Sequence, residues 1–185
     1  MLPLEHKKYT YEEFLEITKD IERAEFIDDE IYCQASPSTE HQRISIKLCN
    51  KIFNYLEGKE CEVFSAPYDI IFEDTKTGEK KSSQPDIVII CDKSKFTKTN
   101  YKGTPALIIE ILSDSTASVD TIKKMDLYMR FGVKEYWIVR PKSKIIDIYF
   151  LENGIYTEPL AYSRDDIIKS NIFSDLSINL KNIFD

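Results

Sequence analysis

Two hydrophobic periods alternate along the chain. Residues 10–19, TYEEFLEITK, predict a short helix with Thr10 as its cap and Glu13 three residues on. AEFIDDEIYCQAS follows as two apolar runs turning at Asp28-Asp29, a predicted hairpin. In TEHQRISIKLCNKIFNYLEG, Ile44, Leu48, Ile52 and Tyr55 recur at helical spacing, and Ile46, Cys49, Phe53 and Leu56 widen the stripe. Gly58 suits the stop of that helix. CEVFSAPYDIIFED and QPDIVIICD predict strands joined by a polar loop, TKTGEKKSS. ALIIEIL is a further strand, and STASVDTIKKMDLYMRFG a helix closed by Gly132. EYWIVRP and IIDIYFLENG are strands, the second opening into a hairpin through Glu152-Asn153-Gly154. The rest keeps a β character and ends in a short element. This order predicts an α/β or α+β fold with a mixed sheet, in one domain spanning residues 1–185.

Residues 106–112 are apolar on both faces, the mark of a central strand covered on both sides. Glu110 breaks that run. An unpaired buried carboxylate costs several kcal/mol, so it must take a proton, a partner or a metal. In the helix that follows, Lys124, Leu127, Tyr128 and Phe131 stand at i, i+3, i+4 and i+7, which aims Lys124 along a core-facing stripe. The bland alternative is a lysine that snorkels outward along its stem. Ile122, Met125 and Met129 form a second apolar face, which predicts a homodimer that buries it.

Composition narrows the classes of function. With 185 residues, 42% apolar and 12% aromatic, the chain is long enough for a sizeable core. Its apolar runs are strand-sized, so no membrane span is expected. The start lacks a signal-peptide pattern, so a cytoplasmic location is expected. The four cysteines, at 33, 49, 61 and 91, are far apart, and His6 and His41 are the only histidines. That argues against structural zinc and predicts free, mostly buried thiols. A net charge of −7 does not advertise nucleic-acid binding. Residues 75–102 nevertheless carry seven lysines against Glu79, Asp86 and Asp92, which reads equally as solvated loops or a phosphate-binding surface. There is no phosphate-cradling GxxxxGK[ST] loop, no GxGxxG and no GxSxG, so neither a nucleotide cofactor nor a serine hydrolase is expected.

Asp86 opens the strand after Gln84-Pro85, where a proline need not donate to a ladder. Glu110 lies in another strand. If the two strands are neighbours, the carboxylates meet, and a Mg²⁺ ion between them relieves their repulsion. Taken together, QPD, IIEIL-S, D-xxx-K-xxx-Y and GVKEYWIVRP resemble the Uma-two family of restriction endonucleases in the PD-(D/E)XK nuclease superfamily, over about residues 11–149.

The resemblance implies a restriction-endonuclease-like mixed sheet flanked by helices. It implies DNA phosphodiester hydrolysis dependent on Mg²⁺, with Mn²⁺ as a substitute. Asp86 and Glu110 match the metal-binding acids, with the carbonyl of Ile111 as a further ligand. Lys124, from the following helix, matches the lysine that elsewhere stands two residues after the second acid. Glu25 and the pair Glu40-His41 match further positions, and Tyr128 stands beside Lys124 as an accessory. Arg140 departs from the family, which often has Asp before that proline. The rival expectation is a catalytically silent nuclease fold that binds nucleic acid or a protein partner.

Overall fold

A computed structural model describes residues 7–34, 36–113 and 119–185. Helix α1 (Tyr11–Ile17) begins with the predicted capping box, in which Thr10 and Glu13 each accept the other's backbone N–H. Strands β1 (Ala24–Ile27) and β2 (Glu30–Cys33) form the predicted hairpin. Its turn residues Asp28 and Asp29 both take positive φ, 51° and 61°, as a tight two-residue turn requires. Helix α2 (Thr39–Leu56) follows, capped by Ser38, and buries Ile44, Leu48, Ile52 and Leu56. Ile46 and Phe53, predicted to widen that stripe, are exposed, because they project from the far side of the helix.

The next segment corrects the predicted layout. CEVFSAPYDIIFED is two strands, β3 (Glu62–Ser65) and β4 (Asp69–Glu73), and they belong to different sheets. The end of the predicted polar loop is β5 (Lys80–Ser83), paired antiparallel with β4. Polar composition hid this strand, because its buried polar groups have partners elsewhere in the chain. Lys81 pairs with Asp29 and Glu79, and Ser83 donates to Glu25. Next come β6 (Ile87–Ile90), β7 (Asn100–Lys102) and β8 (Leu107–Ile111).

Helix α3 is described over Val119–Arg130, and the predicted first residues of that helix, 115–118, lie outside the described residues. Strands β9 (Glu135–Arg140), β10 (Ile145–Glu152), β11 (Ile155–Tyr156), β12 (Leu160–Ser163), β13 (Ile167–Lys169) and β14 (Ser177–Asn179) complete the chain, with a 3-10 turn at Leu180–Asn182.

The fold is α+β with mixed strand pairing, as expected, and the strands divide between two larger sheets and a small pair. One runs β2-β1-β5-β4-β7, and the other β11-β10-β9-β8-β6-β3 with β12 on β10. Strand β8 is central, antiparallel to β6 and parallel to β9. Its alternating side chains feed two cores. Leu107, Ile109 and Ile111 pack with Ile44, Leu48 and Ile52 of α2. Ile108 packs on the other face with Leu127 and Tyr128 of α3. Met125 also packs against that second core, so of the predicted second apolar face of α3 Ile122 is the fully exposed member.

The cysteines depart from the all-thiol expectation. Cys61 and Cys91 form a disulfide, whereas Cys33 and Cys49 are free and half-buried. The β3–β6 ladder, which pairs Glu62 with Ile90, brings these two residues together across 30 positions of sequence. Spacing along the chain cannot reveal such a pairing. Among the described residues, no helix is long and apolar enough to cross a membrane.

Candidate active site

Strand pairing places the two acids. Ile87 lies opposite Ile109, so the register carried one residue further sets Asp86 opposite Glu110. Cross-strand partners project from the same face. For Glu110 that face is the one shared with Ile108, toward α3. Asp86 and Glu110 are each 8% exposed and Lys124 is 7% exposed, so all three charges are buried and each needs a partner.

Each has partners. Asp86 Oδ2 accepts from the backbone N–H of Ile111 at 2.8 Å and lies 3.1 Å from His41 Nε2. Glu110 Oε1 accepts from Lys124 Nζ at 3.0 Å and from the Tyr128 hydroxyl at 2.7 Å. Lys124 also pairs with Glu25 Oε1 at 2.9 Å. Lys124 therefore does not snorkel, and the stripe that carries it does face the sheet.

The electrostatics follow from burial and mutual charge. Burial chiefly, aided by the charges of Asp86 and Glu25, pushes the Glu110 carboxyl up to about 7, against the pull of Lys124 and Tyr128. Burial opposes protonation of His41, but the hydrogen bond and charge of Asp86, with Glu110, outweigh it and raise the imidazole's pKa. Lys124 is likewise disfavoured as a cation by burial, yet Glu110 and Glu25 hold it protonated well above the ordinary lysine range. Burial raises the Tyr128 hydroxyl, so it stays a donor.

The accessory residues separate. Glu25 is fully buried and joins the site through Lys124. His41 joins through Asp86, while its neighbour Glu40 stays exposed in the first turn of α2. There its charge complements the helix dipole. Tyr128 does more than pack, since it donates to Glu110. Ile111 meets Asp86 through its N–H. Arg140 pairs with Asp147 of β10 at 2.6 Å, a contact outside the acid pair.

Sequence reasoning gave Ser83 no role and gave Gln84 only its place before Pro85 in QPD. The Ser83 hydroxyl donates to Glu25 Oε1 at 2.9 Å, and the Gln84 N–H donates to the same oxygen at 2.8 Å. The one available signal was their position directly before Pro85-Asp86.

Among the described residues, no three His, Cys, Asp or Glu side chains are gathered closely enough to hold a metal ion alone. The smaller donor set still suits Mg²⁺, which binds through one or two carboxylates and retains several waters. The bonds described for Asp86 and Glu110 fall on Oδ2 and Oε1, one oxygen of each.

Buried polar atoms without a partner gather in the same region. Those described are Arg23 Nε, Glu25 Oε2, His41 Nδ1, Gln84 Oε1 and Tyr136 Oη. Glu25, His41 and Gln84 are tied to the site by the bonds above, and the charges of Glu110 and Asp86 act on Tyr136.

Comparison with known proteins shows the fold and the family. The chain is 30% identical over 144 residues to the uncharacterized protein slr1290 of Synechocystis sp., covering 77% of this chain and 74% of that protein. A second uncharacterized Synechocystis protein, sll1609, is 28% identical over 124 residues, covering 64% and 66%. The crystal structure of a protein from Anabaena variabilis, described as a putative nuclease of the DUF820 group, superposes with a TM-score of 0.71 at 19% identity. That match covers 87% of this chain and 89% of the other, and shows that the fold is shared. The Uma2 family model, described as a putative restriction endonuclease, matches residues 11–181, and the chain belongs to that family.

Proposed function

We propose that the protein is a Mg²⁺-dependent endonuclease that hydrolyses phosphodiester bonds of DNA through a PD-(D/E)XK-type site. The observation that carries this reading is Asp86 set opposite Glu110, with Lys124 delivered to Glu110 from the following helix. Asp86 and Glu110 would hold the ion, with the Ile111 carbonyl and water completing its shell; Mn²⁺ would substitute. When bound, the ion would supply Lewis-acid polarisation of the phosphoryl oxygen and a lowered pKa for bound water.

The protein's own groups perform the remaining work. His41 and the Ile111 N–H fix the orientation of Asp86, and Tyr128 fixes Glu110. Lys124, a point charge held between two carboxylates, orients the attacking water and offsets negative charge on the phosphoryl group. The buried face keeps bulk water away from these charges.

Calorimetric titration of Mg²⁺ into the protein and into the double variant Asp86→Ala, Glu110→Ala is the first test. Saturable binding lost in the variant, together with metal-dependent cleavage of DNA, supports the proposal. Metal binding without cleavage of single- or double-stranded DNA moves the protein to the silent binding module. The net charge of −7 favours that second reading.

A further inference from the structure

The proposed chemistry assigns no task to Ser83, yet this buried hydroxyl closes a ring of five side chains. Lys124 Nζ bridges Glu25 Oε1 at 2.9 Å and Glu110 Oε1 at 3.0 Å. The Tyr128 hydroxyl lies 2.7 Å from both Glu110 Oε1 and Ser83 Oγ, and the single protons of Tyr128 and Ser83 fill two of the three hydroxyl contacts at a time. Ser83 Oγ returns to Glu25 Oε1 at 2.9 Å. We infer that Ser83 is a positioning residue, whose hydroxyl, through Glu25, holds the Lys124 ammonium in register with the acid pair. This inference rests on the nuclease reading of the site.

Three observations carry it. First, the ring joins separate parts of the fold: β1 and β5 of one sheet, β8 of the other, and α3. A shift of either sheet or of the helix must disturb one of its contacts. Second, Ser83 stands three residues before Asp86 in SQPD, and the Gln84 N–H also donates to Glu25 Oε1. The chain that carries the first acid is therefore clamped to the carboxylate that holds Lys124. Third, a buried ionic cluster adds little net stability over an apolar one of equal volume. Five polar groups closed on one another at a site of separated charges are better explained by the geometry they impose.

The test is Ser83→Ala. Ser83 touches neither Asp86 nor a Glu110 oxygen directly, so Mg²⁺ affinity by calorimetry and KM for DNA are expected to stay at their unmutated values. Turnover is expected to fall about 100-fold, the cost of a small misplacement. Restoration of the hydroxyl in Ser83→Thr is expected to recover part of it. A folded Ser83→Ala protein with unmutated turnover overturns the inference, as does a loss confined to KM.

If the unmutated protein cleaves nothing, the nuclease reading fails, and the ring is then read by NMR of the Lys124 ammonium. Its protons are expected to exchange slowly in the unmutated protein and faster in Ser83→Ala; equal rates overturn the inference. Should Ser83→Ala not fold, Tyr128→Phe opens the ring at another joint. In that variant too, unchanged Lys124 exchange overturns it.

Discussion

Lys124 of α3 reaches Glu110 of β8, with its ammonium 3.0 Å from Oε1, and the same ammonium lies 2.9 Å from Glu25 of β1. One buried cation thus offsets two buried carboxylates. Removal of Lys124 leaves both uncompensated. Lys124→Met, which keeps most of the volume, is expected to destabilise the metal-free fold by about 3–5 kcal/mol. Adding Glu25→Gln is expected to recover part of that loss. Urea denaturation of the two variants measures both effects, and equal stability of the single variant and the unmutated protein would contradict the pairing.

Asp86 is the acid on which the proposed chemistry depends most. Asp86→Asn preserves its shape but not its charge, and is expected to lower metal-dependent DNA cleavage by about two orders of magnitude or more. Initial rates of plasmid nicking at saturating Mg²⁺ measure this. Full activity in this variant would remove Asp86 from the site.

His41 acts one step further out. Its Nε2 lies 3.1 Å from Asp86 Oδ2, where it orients the carboxylate. Loss of such an outer partner weakens metal binding or activity by about 10–100-fold. His41→Ala is expected to show this in the calorimetric affinity for Mg²⁺, with the heat-denaturation midpoint altered far less.

Glu135 gives a pH dependence remote from the site. It is fully buried on β9 and accepts from Trp137 Nε1, Ser170 Oγ and the backbone N–H groups of Asn171 and Ile172, tying the C-terminal segment to the sheet. Burial raises its pKa despite those four donors. As pH rises through the ordinary glutamate range the unfolded chain releases this proton first, while the folded protein retains it up to the raised value. The contribution of Glu135 to stability is therefore complete below the ordinary range and is lost across that window, by about 1.4 kcal/mol per pH unit. Stability measured against pH is expected to fall less steeply there in Glu135→Gln. An identical slope in both proteins would refute the assignment.

The Cys61–Cys91 bond closes a 30-residue separation. In the chain-entropy account, opening it costs about 3–4 kcal/mol. Cys91 follows the end of β6, whereas Asp86 precedes its start. Cys61→Ser with Cys91→Ser is therefore expected to lower the melting temperature while leaving Mg²⁺ affinity at 20 degrees below it unchanged. A thermal scan and one titration check the two halves.

Much of this could be read from local pattern. The capping box at Thr10, the two-aspartate turn, and the Ile44, Leu48, Ile52 stripe are short-range features, and each formed where its residues predicted. The apolar run around Glu110 announced a strand covered on both faces, and helical spacing aimed Lys124 at the sheet. Local periods carry such information because a side chain's direction is set by its own backbone.

The remainder required the tertiary structure, because it depends on which strands become neighbours. Only the β6–β8 pairing sets Asp86 opposite Glu110, and only the β3–β6 pairing joins Cys61 to Cys91. Lys80–Ser83 reads as loop because its burial is compensated by Asp29 and Glu25, more than fifty residues earlier. The hydroxyl that completes the ring around Lys124 is invisible for the same reason. Its meaning lies in partners that no period along the chain connects.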